Sequence, residues 1–164
     1  MTPTLKAEPI SQAAIAGLAE LIEAEGAADK LINQGLCGRF HDRASLDIAG
    51  DAGISVFKSA SFSLPYRMEM MERHPHGSQA FLPMQEGTYL VVLAEDKAGA
   101  PHNPRAFIAG PGQGVNIGRN VWHGVLCPLS DTPPQAALFM VVDRVTDGPN
   151  LEEHWFDEPY TIEK

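Results

Sequence analysis

From residue 33 onward the chain consists of short apolar runs, interrupted about every ten residues by Gly, Pro, Asn or Asp. This spacing leaves little room for long helices and favours many short strands, which is typical of a β-sandwich or barrel. Alternation is clearest at residues 66–70, where two methionines share one face and two charged residues share the other. Residues 89–93 and 138–142 are continuously apolar, so we expect both strands to be buried on both faces.

One helix is predicted ahead of these strands, at residues 11–25. Apolar side chains recur there at i, i+3 and i+7, starting from Ile15. Ser11 can cap the start of this helix, and Gly26 suits its end. A second, short helical turn is predicted at residues 27–32.

A length of 164 residues is enough for one domain with a sizeable core. No internal repeat or interdomain linker is apparent in the sequence. We therefore expect a single, mainly β domain, a double-sheet jelly-roll barrel with an N-terminal α-helix. The helix spans about 11–25, the barrel about 37–145 and a C-terminal tail about 146–164.

Charge and cysteine content limit the partners and the compartment. The 12 Lys and Arg residues against 21 Asp and Glu give a net charge of −9. This argues against nucleic acid or an anionic membrane as the partner, since both attract surplus positive charge. Cys37 and Cys127 form no CxxC pair, and two buried, reduced thiols are expected, with a single disulfide between them as the alternative. No targeting segment and no apolar run of about 18 residues is present, so we expect a cytoplasmic protein.

Residues 71–84, MERHPHGSQAFLPM, concentrate chemically capable side chains between two apolar segments. His74 and His76 are two residues apart, which places both on one face of an extended strand. Gln79 follows, and His123 comes from a later segment. This order is similar to the metal-ligand layout of cupins, so His74, His76, Gln79 and His123 are candidate ligands of a divalent metal of unknown identity. The alternatives are a solvent-facing His76 and a structural, hydrogen-bonding His74.

Glu72 and Arg73 are neighbours along the same predicted strand. Their side chains therefore point to opposite faces, and at most one of them enters a pocket. An inward Arg73 would clamp a carboxylate through its planar guanidinium group. An inward Glu72 would serve as a base or a ligand. The alternative for each is a surface salt bridge.

Two common active-site types are disfavoured. Four glycines recur within residues 110–118, but no helix pattern follows them, as a dinucleotide fingerprint would require. Ser78 lies in no GxSxG elbow, and Cys127 lies in an apolar context that suits an inert thiol.

Six segments resemble, in the same order, one known family, the ureidoglycolate lyases (formerly hydrolases) of allantoin breakdown. They are NQGLCGRFHD at 33–42, MERHPHGSQAFLPM at 71–84, RAF at 105–107, QGVN at 113–116, RNVWH at 119–123 and VDR at 142–144. The resemblance implies a cupin-like β-barrel that forms a homodimer. It also implies a carbon–nitrogen lyase that converts ureidoglycolate, a small carboxylate, to glyoxylate and urea without a required cofactor.

The resemblance assigns roles only where residues match the family motifs. It implies proton transfer by His74 and His123. It implies substrate binding by Arg73, Ser78, Gln79 and Asn116. The chain departs from the family pattern at Ile117, Gly118 and Gly124, where the family usually has Tyr, His and a second His. No role is carried over to these positions.

Two other functions are compatible with the sequence. One is a non-catalytic or divergent cupin that binds a small carboxylate as a sensor or store, which the altered second motif favours. The other is a metal-dependent cupin enzyme, an isomerase or dioxygenase acting on a related substrate. The additional His76 favours this third function.

Overall fold

The strands of this chain pair into two large sheets and one small two-stranded sheet. A computed structural model describes residues 2–133 and 135–164. The elements within these residues are β1 (Thr4–Pro9), α1 (Gln12–Ile15), β2 (Ala19–Ile22), β3 (Lys30–Ile32), a 3₁₀ turn (Asn33–Gly35), β4 (Cys37–Arg39), β5 (Ala52–Ala60), β6 (Tyr66–Arg73), β7 (Gln79–Pro83), β8 (Thr88–Lys97), β9 (Ala100–Ala109), β10 (Gly114–Ile117), β11 (Trp122–His123), β12 (Cys127–Leu129), β13 (Ala136–Arg144) and β14 (Glu152–Glu163).

The larger sheet closes into a barrel. Its strands follow the order β11-β6-β14-β1-β9-β8-β12, and an additional pairing of β11 with β8 closes the ring. Buried side chains from these strands form one cluster that fills the barrel, including Met68, Met71, Trp122 and Ile162. The predicted cupin-like, mainly β barrel is thus confirmed.

The smaller sheet, in the order β2-β10-β7-β13-β5, packs against the outside of this barrel over a second core. β8 lies between the two cores because its side chains alternate between them, which confirms the prediction that residues 89–93 are buried on both faces. The same prediction is wrong for residues 138–142. Leu138 and Met140 are 38% and 37% exposed, because they lie on the outer face of the smaller sheet.

The predicted helix at residues 11–25 is wrong beyond its first turn. Ser11 does cap the helix, and its side chain accepts a hydrogen bond from the Ala14 amide, but α1 ends at Ile15. Gly17 then adopts a positive φ of 82°, and β2 pairs antiparallel with β10. β2 buries alternate residues, Ala19 and Leu21, so the sheet hydrogen bonds and period-two burial outweigh the helical spacing.

The predicted limits of the barrel are too narrow at both ends. Residues 27–32 form no helical turn, and β3 instead pairs with β4. The predicted tail contains β14, which lies between β6 and β1 in the barrel and buries Ile162 completely. Both terminal strands are rich in polar residues, so their hydrophobic signal in the sequence is weak.

The sequence also led us to expect no membrane-spanning segment and two reduced cysteine thiols. Among the described residues, no helix has the length and apolar character needed to cross a membrane. Both cysteines are free thiols, but the expectation that both are buried is wrong for Cys37, which is exposed on the short strand β4, while Cys127 is buried. Burial raises the pKa of Cys127 to about 12, so this thiol stays protonated and unreactive at neutral pH.

Candidate active site

The polar cluster of this protein lies between the two sheets, where β6, β7, β11 and β13 come together. Glu72 on β6 and His123 on β11 are cross-strand partners, so their side chains point the same way. His74 follows the end of β6, and its ring centroid lies 5.2 Å from that of His123. One ligand-type atom from each of Glu72, His74 and His123 lies within 4.8 Å of the others. The structure therefore brings together the two histidines predicted to transfer protons.

His123 is buried, with 2% of its surface exposed. Its Nδ1 lies 3.0 Å from the carbonyl oxygen of Gly124 and donates to it, because a carbonyl only accepts. The other ring nitrogen, Nε2, is buried and has no hydrogen-bond partner among residues 2–133 and 135–164. Burial lowers the pKa of His123 to about 4, and the neighbouring His74 adds to this effect. His123 is therefore a neutral imidazole at pH 7 with an unused lone pair on Nε2.

His74 has a partner at each ring nitrogen. Nδ1 lies 2.7 Å from the carbonyl oxygen of Asn150, in the loop between β13 and β14. Nε2 lies 3.2 Å from Oε1 of Gln79. The Nε2 amide group of Gln79 in turn donates to Oδ2 of Asp143, at 3.0 Å. Nδ1 of His74 thus faces a carbonyl oxygen, which only accepts hydrogen bonds, and Nε2 faces the amide oxygen of Gln79.

Glu72 completes the cluster in place of Arg73. Burial raises the pKa of the Glu72 carboxyl group, while His74 opposes this shift and Glu153 reinforces it. A carboxyl group with a raised pKa beside two imidazoles makes this cluster the candidate acid–base site. The sequence had narrowed the inward residue to Glu72 or Arg73, and the structure places Glu72 inward.

Arg73 points to the opposite side of β6, away from the two histidines. Its guanidinium group stacks over the Trp122 ring, 4.5 Å from the ring centroid. It also pairs with Asp96 at 2.8 Å and with Glu152. Trp122 donates its indole N–H to the same Asp96 oxygen, at 2.9 Å. The predicted carboxylate clamp at Arg73 is therefore not part of the cluster, because its donors already bind protein carboxylates.

We expect Arg73→Met to lower the free energy of unfolding by about 1–3 kcal/mol, because it removes charged hydrogen bonds and leaves Trp122 uncovered. The KM for substrate should not change, since the side chain does not face His74 or His123. Arg67→Met on the same strand is the matched control, because in the part of the chain that the structure describes the Arg67 side chain pairs with the exposed Glu69 alone. Urea denaturation and steady-state kinetics measure the two quantities. A large rise in KM without loss of stability would return Arg73 to the substrate site.

Ser78 and Asn116 are buried but lie outside the cluster. The backbone N–H and the hydroxyl group of Ser78 both bond to the Asp47 backbone, which fixes the loop before β5. Asn116 donates its amide to Glu20 and to the Ser45 carbonyl, at 2.9 and 3.0 Å. Asn116 and Ile117 are neighbours on β10, so their side chains point to opposite faces of the strand. Ile117 faces the core between the sheets, and the Asn116 side chain therefore lies on the outer face. The structure thus gives both residues contacts with loops and strands on the outside of the smaller sheet.

The four candidate metal ligands do not assemble into one set. His76 is exposed, and its backbone N–H binds the Asn150 side chain. Gln79 is already held by His74 and Asp143. A cation at Glu72, His74 and His123 would have to displace Gln79 from His74, because His74 has no unpaired nitrogen. This arrangement of hydrogen-bond acceptors around His74 does not fit a resident metal.

The chain departs from the family pattern at Ile117, Gly118 and Gly124, and all three residues lie in closely packed surroundings. Ile117 is buried in the core between the sheets. A Cβ atom at Gly118 would lie 2.9 Å from the Leu18 carbonyl oxygen, and one at Gly124 would lie 3.2 Å from Cβ of Val92. The backbone at both glycines is therefore packed too closely for a side chain without local adjustment.

Asp143 and Asn150 are the site residues that sequence reasoning missed. Asp143 directly follows the apolar run on β13 and belongs to the VDR segment at residues 142–144, which was the available signal. Asn150 binds His74 through its backbone carbonyl, which carries no side-chain signature.

The fold and the cluster together define a cupin-like β-barrel with a buried acid–base site. The model of the ureidoglycolate lyase family matches residues 2–163. A ureidoglycolate lyase of Rhodobacter capsulatus is 47% identical, covering 97% of this chain and 98% of that protein. Ureidoglycolate lyase 2 of Rhizobium meliloti is 44% identical, covering 97% of both chains. The chain belongs to the ureidoglycolate lyase family.

Among solved structures, a dTDP sugar isomerase from Desulfovibrio desulfuricans is similar, with a TM-score of 0.47 and 22% sequence identity. The similar region covers 87% of this chain and 86% of that one.

Proposed function

We propose that this protein is a carbon–nitrogen lyase that cleaves ureidoglycolate to glyoxylate and urea. Its membership of the ureidoglycolate lyase family supports the substrate. The geometric observation that carries the proposal is a pair of adjacent histidines with opposite hydrogen-bonding states. His123 has a free, buried lone pair on Nε2, whereas both nitrogens of His74 face acceptors.

The chemistry needs one base and one acid. Ureidoglycolate carries a hydroxyl group, a urea nitrogen and a carboxylate on one carbon. Removal of the hydroxyl proton forms the C=O bond of glyoxylate while the C–N bond breaks. The electron pair of that bond leaves with the urea nitrogen, which takes up a proton. No electrons pass to or from the substrate, so a redox cofactor is not required.

His123 is the base in this proposal. Its low pKa keeps Nε2 able to accept a proton throughout the neutral range. A substrate carboxylate bound beside the ring would favour the protonated form and raise this pKa towards neutrality. General bases act best when their pKa lies near the working pH. Substrate binding would therefore improve the basicity of His123 where it is needed.

His74 is the acid. Its Nε2–H points to Gln79 over 3.2 Å, at the long end of the range for an N–H to oxygen bond. A urea nitrogen entering the cluster can therefore replace Gln79 as the acceptor. The Asn150 carbonyl holds the opposite side of the ring and fixes its orientation. Glu72 lies beside both rings, and its carboxylate oxygen is within 4.8 Å of a ring nitrogen of each.

The direct test is urea release from racemic ureidoglycolate by the purified protein. We expect a kcat of about 1 to 1000 per second, the ordinary range for enzymes. A tube without enzyme is required, because the substrate decays spontaneously. A parallel tube with EDTA should show the same rate. No acceleration over the control would refute the lyase proposal, and loss of activity in EDTA that a divalent cation restores would refute metal-free proton transfer.

We also propose that the protein acts as a cytoplasmic homodimer. An apolar surface on the smaller sheet supports the dimer: Ile54 and Val56 on β5 are 72% and 61% exposed, beside the partly exposed Leu138 and Met140. Exposed apolar patches of this kind often mark protein interfaces. Light scattering should give twice the mass of one chain, and the mass of a single chain would rule the dimer out.

A further inference from the structure

We propose that Asp143 is a positioning residue for the reaction. By accepting a hydrogen bond from the Gln79 amide, it sets the direction of that amide, so that Gln79 presents its oxygen to His74. Asp143 therefore keeps a proton on Nε2 of His74. This inference rests on the proposed function for its effect on catalysis, although its structural part can be tested without substrate.

The orientation of the Gln79 amide is the first step. A glutamine side chain ends in an oxygen and an NH₂ group of similar shape, and a half-turn exchanges their positions. An ionised carboxylate only accepts hydrogen bonds, so the group 3.0 Å from Asp143 Oδ2 must be the NH₂. The opposite orientation would place the amide oxygen against the carboxylate, which is repulsive. Asp143 thereby selects one of two orientations that differ little in shape.

The consequence falls on His74, five residues from Gln79 in the sequence. With the NH₂ group directed to Asp143, Oε1 of Gln79 faces Nε2 of His74 at 3.2 Å. An oxygen acceptor at this position requires Nε2 to carry a hydrogen. The opposite nitrogen, Nδ1, is held by the Asn150 carbonyl, which also only accepts. The ring can thus satisfy both partners only with two protons.

Other charged groups near His74 do not set the orientation of the Gln79 amide. Glu72 lies beside His74, but in the described part of the chain it makes no hydrogen bond to the Gln79 amide. His123 opposes a positive ring through like charge when it is protonated. Arg119 binds the Pro75 carbonyl and Asp47, so its hydrogen bonds lie on the neighbouring loop. Among the described residues, the Gln79 amide donates to Asp143 alone.

The first variant is Asp143→Asn. It keeps the size of the side chain but removes the preference of the carboxylate for the NH₂ group of Gln79 over its oxygen. Asparagine offers either its oxygen or its NH₂ to Gln79, so the amide can turn and donate to a deprotonated Nε2 of His74. We expect kcat to fall by about tenfold, as is common when the partner that orients a functional imidazole is lost. KM should change much less, because the Asp143 carboxylate is directed to the Gln79 amide rather than to His74 or His123. Asp157→Asn, at an exposed aspartate on β14, is the control and should match wild type.

The second variant restores the direction by exchanging the two side chains. In Gln79→Glu/Asp143→Asn, the new carboxylate at position 79 can only accept, and the new amide at position 143 can donate to it. His74 then again faces an acceptor, and the net charge is unchanged. We expect kcat to return to within about threefold of wild type. A purely structural role for Asp143 would not predict recovery in the double variant.

Nitrogen-15 NMR of the histidine rings provides the readout that is independent of activity. At pH 7 wild type should show one histidine, absent in His74→Ala, with both ring nitrogens protonated. Asp143→Asn should show loss of the Nε2 proton from that ring, and the double variant should recover it. Unchanged His74 signals in Asp143→Asn would overturn the inference, as would a double variant no better than the single one. If wild type fails to cleave ureidoglycolate, the proposed function fails, while the NMR result still decides the role of Asp143 in orienting Gln79.

Discussion

Replacing His123 by Ala should lower kcat for ureidoglycolate cleavage by about 10²- to 10⁴-fold, the usual contribution of a general base. Nε2 of His123 carries a buried, unpaired lone pair beside His74, and this atom accepts the substrate proton in the proposed reaction. An alanine side chain has no atom that could accept a proton at this place. KM should change less than kcat, because the proton moves only in the transition state. Steady-state urea release over a range of substrate concentrations measures both constants.

Two controls make this result interpretable. His76→Ala changes an exposed histidine two residues from His74, and its kcat should equal that of wild type. Circular dichroism and thermal melting of His123→Ala establish that the variant is folded, because a buried side chain has been truncated. If folded His123→Ala retains activity within a few-fold of wild type, His123 is not the base. Loss of activity in His76→Ala would instead support the metal-dependent alternative from the sequence.

The stability of the protein should decrease as the pH falls from about 6.5 to about 4, owing to His123. Its pKa is about 4 in the folded protein, against an ordinary value of 6.5. Within this interval the unfolded chain binds a proton at His123 that the folded protein does not bind, so lower pH favours unfolding. The lowered pKa corresponds to about 3 kcal/mol of unfolding free energy, present above pH 6.5 and lost by pH 4.

Urea denaturation at a series of pH values measures this contribution. His123→Gln lacks the titrating group, so the difference between wild type and variant isolates it. Glu72 acts in the opposite sense, because its raised pKa means that the folded protein holds its proton more tightly. An equal loss of stability in wild type and His123→Gln between pH 6.5 and 4 would contradict the assignment of a neutral, buried His123.

The barrel could be predicted from the sequence because period-two alternation and frequent turn residues are local properties. The N-terminal helix was overpredicted for a related reason. Residues 11–25 satisfy helical spacing, but strand β2 gains a hydrogen-bonded partner in β10, almost a hundred residues away. The partner strand cannot be recognised from the window in which the helical pattern appears. Tertiary pairing then overrode local propensity.

In the candidate site, too, some features follow from local sequence and others depend on the pairing of distant strands. The position of His74 follows from a dense local motif, while His123 was selected by the cupin-like order of candidate ligands and again by the family resemblance. The choice between Glu72 and Arg73 needed the register of β6 with β11, because Glu72 lies directly opposite His123. Arg73 instead forms ion pairs with Asp96 on β8 and Glu152 on β14.

By itself, the sequence determined the β-rich class, the family motifs and the residues able to transfer protons. The tertiary structure alone decided which face each side chain occupies and which hydrogen-bond partners surround the two histidines. Asp143 lies 64 residues from Gln79, yet it sets the direction of the amide that faces His74. The physical reason is that buried polar groups must find hydrogen-bond partners, and these partners come from strands that only folding brings together.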